Sequence, residues 1–201
     1  MDSGREMKRL TDVVLFHHVQ GLTPGIVAFA DELRAAGHTV HTPDLFDGRT
    51  FPTLDEGVAY ARQVGFGAIL DRGVAEADAL ANDMVYAGIS LGVMPAQKLA
   101  QTRAGAQGAL LIDACFPVTE FGDRWPEGVP VQVHGMDADP MFADEGDLDA
   151  AKALVDSTQG ALFLYAGNVH LFSDSSLPCH DQLATELMTG RILDFLAARD
   201  G

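Results

Sequence analysis

Short apolar runs rich in β-branched residues recur along this chain, separated by stretches whose apolar residues fall at helical spacing. The first run, VVLFHHV at 13–19, reads as a buried strand. The loop QGLTPG follows. Thr23 is placed to cap a helix there, and Pro24 suits its first turn. Apolar spacing predicts that helix over 26–36, with Gly37 closing it. HTVHT at 38–42 predicts a second strand. Residues 54–80 read as helical, with Gly65, Gly67 and Gly73 expected to break the segment in two. Four more strands are predicted at 84–87, 109–114 (ALLIDA), 129–134 and 161–165. Helices are predicted over 91–101, 148–156 and 182–198, and the first ten or so residues read as a loose terminus.

Strands that alternate with helices predict a parallel sheet covered on both faces. Right-handed crossovers then give a doubly wound, three-layer α/β sandwich. No repeat, low-complexity tract or linker divides the sequence, so one domain over 1–201 is expected.

Composition narrows the partners. The apolar fraction, 47%, is that of a globular protein. The net charge of −16 opposes binding to nucleic acid or to anionic membranes. No apolar run reaches the ~18 residues of a membrane span. The first residues, MDSGREMKRL, carry charges of both signs and no apolar core of a leader. Cys115 and Cys179 belong to no C-x-x-C pair and are too few for a disulfide framework. A cytoplasmic protein with free thiols is the expectation, and Cys115, at the end of an apolar strand, reads as a packing residue.

One motif carries chemistry. Gly88-Ile89-Ser90-Leu91-Gly92 is a G-x-S-x-G with an apolar strand leading in and a helical pattern leading out. Small residues two positions either side let the chain double back and thrust the serine above the sheet. The N–H of Leu91 then opens the helix and can face a developing oxyanion. Val19, in the loop after the first strand, is the candidate second donor, and His18 and Gln20 of that loop are candidates to contact substrate. A hydroxyl needs a base. Sites built on this motif take nucleophile, acid and histidine in chain order. Of the histidines after Ser90, His134 lies in or at the end of a strand and His180 beside the last helix. His170 follows the last strand, in the loop GNVHLF, where open α/β sheets bind ligands. Asp137 and Asp139 both follow the preceding strand, and spacing does not separate them as the acid. His17 and His18 are adjacent on a strand and point apart, and no His/Cys cluster has metal spacing, so no metal and no cofactor is expected.

The pieces LFHHVQGLTPGI, AAGHTVHTPDLFDG, AGISLG, VPVQVHGMDADP and YAGNVHLF together resemble the dienelactone hydrolase family of α/β-hydrolases, from Val13 to Leu196. The resemblance implies a minimal, cap-poor α/β-hydrolase fold and a catalytic triad of Ser90, His170 and an aspartate. The Asp-Pro pair in DADP favours Asp139 over Asp137. Three positions depart from the family. Ser90 stands where dienelactone hydrolases use cysteine, His18 falls at a first-loop glutamate, and no arginine follows His170. The missing arginine, with Asp174 near its place and the net charge of −16, speaks against a dianionic lactone. A serine ester hydrolase acting on a small ester, lactone or thioester is the leading expectation, with a homodimer as the assembly to look for. The alternatives are a non-catalytic binding or interaction protein on the same fold, and a nucleotide-binding domain, which lacks G-x-G-x-x-G and Walker A here.

Overall fold

A computed structural model describes residues 10–158 and 160–200; apart from Leu10, the expected loose terminus lies outside them. Six parallel strands form one sheet in the order β2-β1-β3-β4-β5-β6. They are β1 (Asp12–Phe16), β2 (Val40–His41), β3 (Met84–Ile89), β4 (Gly108–Ile112), β5 (Val131–Met136) and β6 (Ala161–Tyr165). The helices are α1 (Pro24–Ala35), α2 (Leu54–Val64), α3 (Phe66–Asp78), α4 (Val93–Thr102), α5 (Pro140–Ala143), α6 (Asp147–Ser157) and α7 (Gln182–Ala197).

Strand alternation explains the three layers. Val13, Leu15, Val85, Ala87, Leu110 and Ile112 point to one face and meet α1 and α7. Val14, Phe16, Tyr86, Ala109, Leu111 and Val133 point to the other and meet α2, α3, α4 and α6. Every residue of β3 is buried, as a central parallel strand covered on both faces must be.

The element boundaries carry small corrections. The strand at 13–19 ends at Phe16, because His17 and His18 leave the ladder to bond elsewhere. The helical region 54–80 breaks once, at Gly65, which holds a φ of +94°. Gly67 and Gly73 stay inside α3. A Cβ on Gly73 would lie 2.7 Å from Pro95 Cβ, so that glycine lets α3 close on α4 rather than ending the helix.

Because all strands are parallel, their carboxyl ends share one edge. The chain winds outward from β1 to β2 and then returns to the far side of β1 as β3. The crevice between the ends of β1 and β3 is the point where open sheets of this kind bind ligands.

Candidate active site

Ser90 opens a single 3-10 turn between β3 and α4, at that crevice. Its φ is +50°, a strained value for a residue with a side chain. Both flanking glycines are dictated by backbone contact. A Cβ on Gly88 would sit 2.2 Å from Gly92 O, and one on Gly92 would sit 2.3 Å from Phe16 O. Ser90 is thereby held partly exposed above the sheet, against the end of β1.

The loop after β6 delivers His170. Its Nε2 accepts from Ser90 Oγ at 2.9 Å, and its Nδ1 donates to Asp139 Oδ2 at 2.6 Å. Asp139 is 1% exposed. Its other oxygen accepts the N–H of Met141 and caps α5, with Pro140 in the first turn. Asp137 is exposed and accepts the N–H of Gly167, bracing the loop after β5 to the loop that carries His170. The structure therefore brings Ser90, His170 and Asp139 together and gives Asp137 a bracing contact.

Electrostatics favour a basic His170. Burial pulls the imidazole down, but the Asp139 hydrogen bond and the charges of Asp113, Asp139 and Asp147 outweigh it, and the net shift is upward. His134, the rejected candidate, is fully buried against Tyr165 and Gln132. Burial, with Arg191 adding to it, pushes its pKa down to about 3.

The first loop is placed differently from the expectation. His18 is fully buried, with both ring nitrogens engaged: Nε2 with Asp174 Oδ2 at 2.7 Å, and Nδ1 accepting from the N–H of Gln20. The Gln20 amide is turned to the carbonyl of Phe51. Both candidates for substrate contact are thus scaffold groups. Asp174 gathers further bonds from Thr23 Oγ1 and from the N–H and hydroxyl of Ser176. Burial raises its pKa, yet the hydrogen bonds from His18, Ser176 and Thr23 together hold it down at about 2. A buried carboxylate so bonded straps the loop of Val19 to the loop of His170. Leu91 follows Ser90 in the 3-10 turn, and Val19 lies in the loop after β1; both are buried.

Two acids were missed by sequence reasoning. Asp113 follows β4 and is 1% exposed, with a φ of +59°. Neither carboxyl oxygen has a hydrogen-bond partner within normal geometry. Asp147, at the start of α6, accepts the N–H of Cys115 at 2.7 Å. A lone charge ending the apolar run ALLID was the signal for the first; the second had none. The Cys115 thiol is buried, and burial followed by the charge of Asp147 pushes it to about 12, so it is inert at neutral pH.

A cleft of about 1000 Å³ lies on the opposite sheet edge, near Gln107, Pro130 and Arg199. Among the described residues no cluster of His, Cys, Asp or Glu could hold a metal ion, and no helix is long and apolar enough to cross a membrane.

No protein-family model and no curated protein matches the chain. Solved structures do. A dienelactone hydrolase-like promiscuous phosphotriesterase from metagenomic libraries is 18% identical, covering 100% of this chain and 90% of that one, with a TM-score of 0.74. A dienelactone hydrolase from Anabaena variabilis is 14% identical over 96% of this chain and 88% of its own, with a TM-score of 0.69. A cold-adapted esterase from an Arctic intertidal metagenomic library is 19% identical over 98% and 85%, with a TM-score of 0.66.

Proposed function

We propose that this chain, whose fold is the α/β-hydrolase fold of dienelactone hydrolase-like structures, is a serine hydrolase that cleaves small neutral esters through an acyl-enzyme. The observation that carries the reading is the continuous relay from Ser90 Oγ through His170 to the buried Asp139, built on a strained strand–turn–helix elbow.

The chemistry follows from the geometry. Ser90 Oγ attacks the ester carbonyl as His170 Nε2 takes its proton. Asp139 fixes the tautomer with the proton on Nδ1 and stabilises the imidazolium. The negative charge on the former carbonyl oxygen is met by the N–H groups of Leu91 and Val19. His170 then protonates the departing alkoxide. Water, deprotonated by the same imidazole, attacks the acyl group and releases Ser90.

The surroundings support a neutral substrate. Asp113, Asp139 and Asp147 all bear on His170, and Asp137 is exposed in the same group of loops. The chain as a whole carries −16. A substrate carboxylate meets repulsion there. Lactones and thioesters of similar size fit the same chemistry. No cofactor enters the proposal; the setting proposed is the cytoplasm, consistent with two free cysteines, and a homodimer is the assembly proposed for test.

Turnover of a matched pair of activated esters, one neutral and one carrying a carboxylate on the acyl chain, tests this reading. The neutral ester is expected to be hydrolysed faster, and Ser90→Ala to hydrolyse neither. Equal turnover by Ser90→Ala would overturn the mechanism.

A further inference from the structure

We propose that Asp113 is a positioning residue of the hydrolase site, an acid that holds one proton jointly with His170 and so sets the basicity of the imidazole. The inference rests on the reading of Ser90, His170 and Asp139 as the catalytic set.

Geometry makes Asp113 unusual. It stands where β4 ends, at the carboxyl edge shared with Ser90 and the loop of His170. Its N–H is tied to the carbonyl of His134 at 2.8 Å, so the backbone is anchored while the residue adopts a left-handed conformation. The side chain is thereby held inside the protein, where neither oxygen is satisfied. A buried carboxylate short of well-formed hydrogen bonds is costly, so the proton-bound form is favoured. Burial is the main cause. The charge of His170 and the N–H of Leu171 oppose it, the charge of Asp139 reinforces it, and the carboxyl is pushed up to about 7.

His170 itself is shifted upward, partly by Asp113. Two ionisable groups that act on each other titrate as a pair. With one proton between them the pair has two arrangements: imidazolium with the Asp113 carboxylate, or neutral imidazole with the Asp113 carboxylic acid. Only the second arrangement leaves His170 able to accept the Ser90 proton. When Asp113 is ionised, its carboxylate stabilises the imidazolium that forms as the Ser90 proton arrives at His170.

Other groups face this pair from each element around it. Asp139 faces it from the start of α5 and Asp147 from the start of α6. Tyr165, at the end of β6, and Cys179, in the loop before α7, both feel the Asp113 charge. The Tyr165 hydroxyl is committed to His134, and burial raises the Cys179 thiol, so both stay neutral near pH 7. Asp139 is bonded to His170 and to the N–H of Met141. Among these carboxylates, Asp113 is the one with no hydrogen-bond partner within normal geometry.

The test is an NMR titration of the His170 imidazole in the Ser90→Ala protein, with and without Asp113→Asn. With Asp113 present, His170 is expected to titrate in a broadened, two-step curve. With the Asp113→Asn substitution, one step is expected, with a midpoint lower by about one pH unit. In the active enzyme, the acid limb of kcat/KM should move down by the same amount, which a purely structural loss would not produce. An unchanged His170 midpoint overturns the proposal. Should Asp113→Asn not fold, carbon-labelled aspartate in the Ser90→Ala protein gives the answer directly. An aspartate titrating near neutral pH in step with His170 supports the pair, and none doing so overturns it. Turnover without coupling overturns this proposal alone. Coupling without turnover refutes the hydrolase reading and the catalytic use of the pair with it.

Discussion

Gly92→Ala isolates the contact that seats the nucleophile. The added Cβ would lie 2.3 Å from Phe16 O, 2.7 Å from Phe16 C and 2.8 Å from His17 O. All three are backbone atoms of β1 or its exit, so no side chain can swing away. Ordinary contact begins at 3.4 Å, and the elbow must retreat from β1 by the difference, 3.4 minus 2.3, or about 1.1 Å. Overpacking of this kind costs about 3 kcal/mol, the upper end of the usual range. For a chain of this size that is a fall in Tm of roughly 6–12 °C. The same displacement separates Ser90 from His170 and from the N–H of Val19, and a 1 Å misplacement costs on the order of 100-fold in rate. Thermal melts by circular dichroism and kcat/KM on a neutral activated ester measure the two effects together. A Gly92→Ala protein with unchanged Tm and unchanged kcat/KM would refute the argument that backbone packing against β1 positions the nucleophile.

Asp139→Asn should keep the α5 cap but present the wrong partner to His170 Nδ1, lowering kcat by roughly 10⁴-fold with little change in KM. Asp174→Ala removes the strap between the first loop and the histidine loop. It should lower stability by about 3 kcal/mol in denaturant melts near neutral pH, and slow turnover as well. Because the folded pKa of Asp174 is depressed to about 2, its contribution is present above the ordinary carboxylate range and lost as pH falls toward 2, so the stability gap between wild type and variant should close in acid. For Asp113 the sign is opposite. Its pKa is raised to about 7, so the folded state is penalised as pH rises from the ordinary carboxylate range through 7, and Asp113→Asn should raise Tm more at pH 8 than at pH 5.

The elbow was legible because its signals are local: glycines, a serine and a switch from strand to helix within a few residues. His170 was legible by its place after the last strand. Asp137 and Asp139 were not separable, since they share a loop and the same edge. What separates them is the turn each makes, Asp139 capping α5 and Asp137 reaching Gly167. His18 and Gln20 were read as site-lining because their loop is at the site. The direction of the His18 ring is set by Asp174, 156 residues away, and no local pattern encodes that pairing. Strand ends shifted for similar reasons. β5 starts at Val131, after Pro130, which has no N–H for the ladder and contributes its carbonyl to Ala109 instead.

The proposed nucleophile is tested most directly by incubating the protein with a fluorophosphonate and mapping any adduct by intact mass and peptide sequencing. Such a probe reacts with a serine that a base and an oxyanion hole have activated. One adduct on Ser90, lost in His170→Ala while the fold persists, is the expected result. A folded protein that takes up no probe, or takes it up at a residue other than Ser90, would contradict the assignment of Ser90 as an activated nucleophile.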